Sequence, residues 1–101
     1  MKHALIVVAT GIAAALFQTA ACAQVDADWA KAKAKEYGCL GCHDIDKKKV
    51  GPAWNGVAAN YAGKTADDLA ASIKSKPVHA SVIKKAGDDL PKIAAWILTL
   101  K

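Results

Sequence analysis

Arginine is absent from the 101-residue chain, and its fourteen basic side chains are all lysines. The guanidinium group recognises bases and phosphates through paired hydrogen bonds, so its absence argues against a nucleic-acid partner. Aromatic residues are also scarce, at 6% of the chain, which leaves no platform for stacked bases. At this length the chain holds one small domain, with no second domain to form a substrate pocket. We therefore expect no enzymatic activity.

The beginning of the chain reads as a secretory leader. Lys2 supplies a positive charge, residues 4–17 are almost wholly apolar, and Ala21-Cys22-Ala23 has the small-residue pattern of a cleavage site. The apolar run is shorter than the roughly 20 residues that a membrane-spanning helix needs. The sequence therefore predicts export to the periplasm and cleavage after Ala23. An uncleaved N-terminal anchor and lipidation at Cys22 are the alternatives.

Removal of a signal peptide at residues 1–23 leaves residues 24–101 as the mature domain. Met1 is the only methionine, so the mature domain has none. A domain of this size buries only a modest apolar core, and we expect a further group to complete its interior. The cysteines and histidines that remain are Cys39, Cys42, His43 and His79.

Glycine and proline divide the mature domain into helical segments, and no segment has a convincing strand pattern. Alanine and lysine, which favour helices, dominate the first segment. Thr65 and Asp68 have the spacing of a capping box. The sequence therefore predicts an all-α domain. The expected helices are residues 28–37, 57–62, 65 to 76 at the latest, and 88 or 89 to 100, with loops at 44–56 and about 74–87.

One short motif indicates the chemistry. Cys39, Cys42 and His43 form the pattern Cys-x-x-Cys-His, which in an exported protein indicates covalent attachment of c-type haem. Each thiol is expected to bond one vinyl group of the porphyrin, and the histidine is expected to ligate the iron. Three other interpretations compete: a disulfide, a thioredoxin-like dithiol, and half of a zinc site with His79.

The chain resembles the class I c-type cytochromes, above all the small bacterial cytochromes of the c-551 and c-552 type. The resemblance implies a fold of four to five short helices around one covalently bound haem, whose iron cycles between Fe²⁺ and Fe³⁺. It also implies a carrier of single electrons that transforms no substrate. The matching stretches are residues 37–43 (YGCLGCH), 50–53 (VGPA), 57–63 (VAANYAG) and 90–100, and residues 74–87 lie outside them.

The resemblance implies roles for two residues that follow the motif. The carbonyl of Pro52 should accept a hydrogen bond from the free ring nitrogen of His43, which fixes the imidazole and tunes the iron. Trp54 either lines the haem pocket or only covers the core, and the sequence leaves both possibilities open.

The chain departs from this family at the sixth iron ligand, normally a methionine in the loop before the last helix. The mature domain has no methionine, and residues 74–87 look shorter than usual. His79 is the strong haem ligand in this segment, because a neutral imidazole binds iron well. We therefore expect His43 and His79 as the two axial ligands. The alternatives are Lys76 or Lys84 with a lowered pKa, or a surface His79 that leaves the site open.

These alternatives correspond to different functions. An open or labile sixth site would give a haem protein that binds small ligands such as CO or NO, or one with weak peroxidase-like activity. A chain without haem would be a dithiol or disulfide protein.

The lysines suggest a partner of opposite charge. Those at residues 47–49 and 84–85 could steer docking onto redox proteins with acidic surfaces, or could only aid solubility. The lysines at residues 31–35 are more typical of a solvated helix face. We expect a soluble periplasmic monomer without stable membrane insertion.

Overall fold

The computed structural model describes residues 25–100, and they form five α-helices without a strand. Three single-turn 3₁₀ helices lie at Cys39–Gly41, Pro77–His79 and Gly87–Asp89. The prediction of an all-α fold is confirmed, while the proposed signal peptide lies outside the described residues. The α-helices are α1 (Ala27–Glu36), α2 (Trp54–Asn60), α3 (Ala66–Lys74), α4 (Ala80–Ala86) and α5 (Leu90–Ile97).

Two caps fix where helices begin. The Asp26 side chain accepts hydrogen bonds from the first turn of α1, including the backbone N–H of Asp28 at 2.9 Å. Thr65 and Asp68 form the predicted capping box of α3, with reciprocal bonds of 3.1 and 3.2 Å. Both caps satisfy amide groups that have no partner inside the helix. Gly38 lies between α1 and the turn Cys39–Gly41 and has a φ of 89°, a left-handed conformation that glycine adopts without strain.

Helix α5 is the centre of the core and packs against α1, α2 and α3. Ala30 and Ala34 of α1 are fully buried, and their small side chains let α1 approach α5 closely. Leu90 and Ile93 are the largest fully buried side chains. No helix among residues 25–100 has the length and apolarity needed to cross a bilayer.

Two loop predictions were wrong. Helix α2 begins at Trp54, inside the predicted loop 44–56, and ends at Asn60. Its first two amides donate to the carbonyls of Asp44 and Ile45, both at 2.9 Å, so the preceding loop supplies the partners of this helix end.

The second wrong prediction concerns residues 74–87, which contain the 3₁₀ turn Pro77–His79 and helix α4 rather than a loop. Pro77 occupies the first position of its turn, where a proline needs no hydrogen-bond partner. Gly87, with a φ of 51°, ends α4. His79 therefore lies at the junction of the 3₁₀ turn Pro77–His79 and helix α4, and not in a loop.

Candidate functional site

The helices enclose a cavity of about 470 Å³ between α2, α3, α5 and the turns at Cys39–Gly41 and Pro77–His79. Most of its lining is apolar and comes from side chains such as Leu69, Ile93 and Ile97. The six site residues predicted from the sequence all line this cavity: Cys39, Cys42, His43, Pro52, Trp54 and His79.

The two cysteines lie on the 3₁₀ turn that follows α1. The backbone N–H groups of Cys42 and His43 donate to the carbonyl of Cys39 at 3.2 and 3.1 Å, which winds the motif into a single turn. Both cysteines are free thiols, so they do not form the disulfide that the sequence left open. Burial raises the pKa of the Cys39 thiol, which therefore stays protonated at neutral pH.

His43 is fixed by the loop that returns to the motif. Its Nδ1 lies 2.7 Å from the carbonyl oxygen of Pro52, and since a carbonyl only accepts, Nδ1 carries the proton. The backbone N–H of Gly51 donates to the carbonyl of Cys42 at 2.7 Å and places Gly51 against the imidazole. A Cβ on Gly51 would lie 2.8 Å from both ring nitrogens of His43, so only glycine fits there. Nε2 remains free to bind a metal.

His79, which also lines the cavity, is held in the same way. Its Nδ1 lies 2.8 Å from the carbonyl oxygen of Ile73, near the end of α3, and donates to it. The centres of the His43 and His79 rings are 6.3 Å apart, with an angle of 34° between the ring planes. Ligating histidines characteristically donate their second nitrogen to a carbonyl or carboxylate, and both imidazoles do so here.

The donor set fits a haem iron. Two imidazoles that bind one metal from opposite sides through bonds of about 2.0 Å have ring centres about 6 Å apart. The separation of His43 and His79 matches this value. Two free thiols lie at the same cavity, as covalent attachment of a haem requires.

Trp54 both lines the cavity and belongs to the core. Its side chain is only 3% exposed. It stacks on the His43 ring with centres 5.5 Å apart, and it meets Trp96 of α5 edge to face at 5.5 Å. Trp54 therefore connects the orientation of His43 to the packing of α5.

Several residues at the site were missed from the sequence. Gly51 and the Ile73 carbonyl fix the two imidazoles, and neither carries a signal by which a sequence would reveal it. Ser72 and Tyr61, which were also missed, line the cavity and form a hydrogen bond there. Lys76, named from the sequence only as an alternative iron ligand, lines it too and donates to Ser72. Lys84, considered above as an iron ligand, is not among the lining residues.

A small helical domain with a Cys-x-x-Cys-His turn at an apolar cavity defines a class of protein, the monohaem c-type cytochromes. The chain is 40% identical to cytochrome c-552 of Hydrogenobacter thermophilus, with 67% of this chain and 78% of the relative covered. It is 39% identical to cytochrome c-552 of Nitrosomonas europaea, with 88% of this chain and 91% of the relative covered. It is also 39% identical to cytochrome c-551 of Azotobacter vinelandii, with 66% of this chain and 92% of the relative covered.

The chain therefore belongs to the family of small bacterial cytochromes c-551 and c-552, electron-transfer proteins with one covalently attached haem c. No protein-family model and no solved structure matches it.

Proposed function

We propose that this cytochrome is a periplasmic electron carrier whose haem is attached through Cys39 and Cys42 and whose iron is ligated by His43 and His79. When bound, the haem supplies a one-electron couple between Fe²⁺ and Fe³⁺. The observation that supports this proposal best is the pair of imidazoles at the cavity. Each donates its Nδ1 hydrogen to a backbone carbonyl, and their centres are 6.3 Å apart.

The two carbonyls give the histidines equivalent roles. Pro52 holds the proton on Nδ1 of His43, and Ile73 holds it on Nδ1 of His79. Each Nε2 then keeps its lone pair for the metal, and neither ring needs to change its tautomer when it binds. This arrangement also lowers the reorganisation that accompanies electron transfer, because both rings are held by backbone rather than by mobile side chains.

His79 is a better candidate for the sixth ligand than Lys76. The Lys76 ammonium donates to the Ser72 hydroxyl at 3.2 Å and would have to lose both this bond and its proton before it could bind iron.

The experiment is the visible spectrum of the reduced protein with and without CO. We expect a low-spin spectrum that CO does not change in the wild type, and a CO complex in His79→Ala. Ser81→Ala is the matched control, since Ser81 is exposed on α4, two residues after His79, and does not line the cavity, so it should leave the spectrum unchanged. A wild type that binds CO would instead indicate the ligand-binding function. A His79→Ala protein that excludes CO would show that another side chain ligates the iron.

We place the docking surface at Lys47, Lys48 and Val50. Val50 is 81% exposed, lies at the mouth of the cavity, and directly follows three consecutive lysines. Lys49 is engaged, since its ammonium donates to the Leu40 carbonyl at 3.0 Å. Lys47 and Lys48 provide positive charge beside the exposed side chain of Val50, and this combination suits an acidic redox partner.

Oxidation of the reduced protein by hexacyanoferrate, an anionic acceptor, tests this surface. We expect the rate to fall with ionic strength, and to fall more in Lys47→Gln/Lys48→Gln than in the control Lys31→Gln/Lys35→Gln, which removes the same charge from α1. Equal rates in the two double variants would contradict a docking role for residues 47–48.

Export and processing are tested separately. We expect a monomeric, haem-containing protein in the periplasmic fraction, with an N-terminus at Gln24 by mass spectrometry. Retention of residues 1–23 on a membrane-bound product would instead indicate an uncleaved anchor.

A further inference from the structure

One corner of the cavity differs from the rest because it is polar. The Tyr61 hydroxyl donates to Ser72 Oγ at 2.6 Å, and the Lys76 ammonium donates to the same oxygen at 3.2 Å. These three residues and Asn60 line the cavity. Because Ser72 Oγ accepts two hydrogen bonds, its own hydrogen remains available to donate to a further acceptor.

The charge at this corner has no acidic counterpart. Lys76 is the one lysine among the lining residues, and no aspartate or glutamate lines the cavity. Within residues 25–100 the ion pairs join Lys33 to Glu36 and Lys92 to Asp89, and neither involves Lys76. Lys76 is exposed and lines the cavity, so its ammonium lies where the cavity meets solvent. An anionic group that reaches this edge of the cavity can therefore pair with it through charge-assisted hydrogen bonds.

We infer that Lys76, positioned by Ser72 and Tyr61, binds a carboxylate of the haem. The inference rests on the proposed function, in which this cavity holds the haem. A haem is apolar apart from its two propionate groups, so a carboxylate is the anion that enters such a cavity with it. Lys76 supplies the charge and Ser72 a hydroxyl donor, and hydrogen bonds from charged donors to a carboxylate are the strong ones.

The test compares Lys76→Gln with Lys74→Gln in haem-loaded protein. Lys74 is the last residue of α3, is exposed and does not line the cavity, so it provides the same loss of charge away from the corner. The reduction equilibrium against a redox mediator is followed optically from pH 4 to 9. The midpoint of its pH-dependent step reports ionisation of the haem carboxylate.

An ammonium beside a carboxylate favours its ionised form, so Lys76→Gln raises this midpoint by about one pH unit. Lys74→Gln leaves the midpoint unchanged, and Lys76→Arg, which keeps the charge, stays close to the wild type. Ser72→Ala and Tyr61→Phe raise the midpoint by less. In the Lys76→Gln background Ser72→Ala still raises the midpoint slightly, because the Ser72 hydroxyl donates to the carboxylate directly.

Superimposed pH curves for the wild type and Lys76→Gln would overturn the inference. Failure of the proposed function would give a different result, which is measured first. The wild type would then lack covalent haem on a denaturing gel, or it would bind CO. A haem-loaded Lys76→Gln protein that excludes CO but has an unshifted midpoint refutes the carboxylate contact alone. Binding of CO by Lys76→Gln would place Lys76 on the iron and overturn both proposals.

Discussion

Gly51→Ala tests how closely the chain packs against its first imidazole. The added Cβ would lie 2.8 Å from Nδ1 and Nε2 of His43, and closer still to Cε1. Gly51 is not among the glycines with positive φ, so the backbone tolerates alanine and the contact is the whole effect. The ring must move, and its 2.7 Å hydrogen bond to the Pro52 carbonyl is then lost.

The expected cost combines two effects. Overpacking costs about 1–3 kcal/mol, and the lost hydrogen bond about 0.5–1.5 kcal/mol. We therefore expect the free energy of unfolding to fall by about 2–4 kcal/mol, which lowers Tm by about 10 °C or more in a domain of this size. Thermal unfolding followed at the haem absorbance and by circular dichroism measures this change.

The matched control is Gly56→Ala. Residue 56 lies inside α2, where an added Cβ meets nothing within 4 Å. Alanine is the better helix former, and we expect a gain of about 0.5–1 kcal/mol. If Gly51→Ala melts at the same temperature as the wild type with an unchanged haem spectrum, the loop does not press on His43 and the reasoning is wrong.

Three further predictions concern a cap, a pH dependence and a potential. Thr65→Ala removes half of the α3 capping box, and we expect a loss of about 1 kcal/mol in denaturant unfolding. The Tyr37 hydroxyl donates to Asp89 at 2.6 Å, and this hydrogen bond, followed by burial, raises the pKa of Tyr37. Its contribution to stability is complete below pH of about 10 and is lost above it, so the wild type should lose stability more steeply there than Tyr37→Phe, and parallel curves would contradict this. His79→Met should raise the reduction potential measured by spectroelectrochemistry, because methionine ligation raises it relative to a second imidazole, and an unchanged value would argue against His79 as ligand.

Local signals in the sequence predicted most of the fold. The Thr65 capping box acts within one turn of helix, and it lies where it was expected. Helix α2 was expected three residues too late because Asn55 and Gly56 are typical of turns. What starts the helix at Trp54 is a pair of hydrogen bonds to carbonyls about ten residues earlier, which no local pattern encodes.

Some residues of the site could likewise be predicted from local sequence, and others could not. Cys39, Cys42 and His43 are adjacent in the chain, so their grouping could be predicted from a motif. His79 could be predicted only because the family's methionine is missing. The groups that fix the imidazoles could not be predicted, since Ile73 and Pro52 act through their carbonyls, and every residue has a carbonyl. The polar corner at Lys76 depends likewise on how α2 and α3 meet.

The segment that carries His79 depends on ligation more than the rest of the fold does. Among the residues of α4, only Ala86 is buried, whereas α5 buries five side chains. The 3₁₀ turn before α4 is tied to α3 through the hydrogen bond between His79 and Ile73. An iron bond at Nε2 would add a second tie to the same ring, and segments with few buried contacts are the first to open locally.

Amide hydrogen exchange can therefore measure how much the His79 ring, through both ties, stabilises this segment. In haem-loaded His79→Ala we expect the amides of residues 80–86 to exchange at least about tenfold faster than in the wild type, while those of α1 and α5 keep their rates. Ser81→Ala again serves as the control. Faster exchange throughout the chain would indicate general destabilisation. Unchanged exchange in residues 80–86 would mean that Ala86 alone anchors α4, and that His79 does not bind the iron.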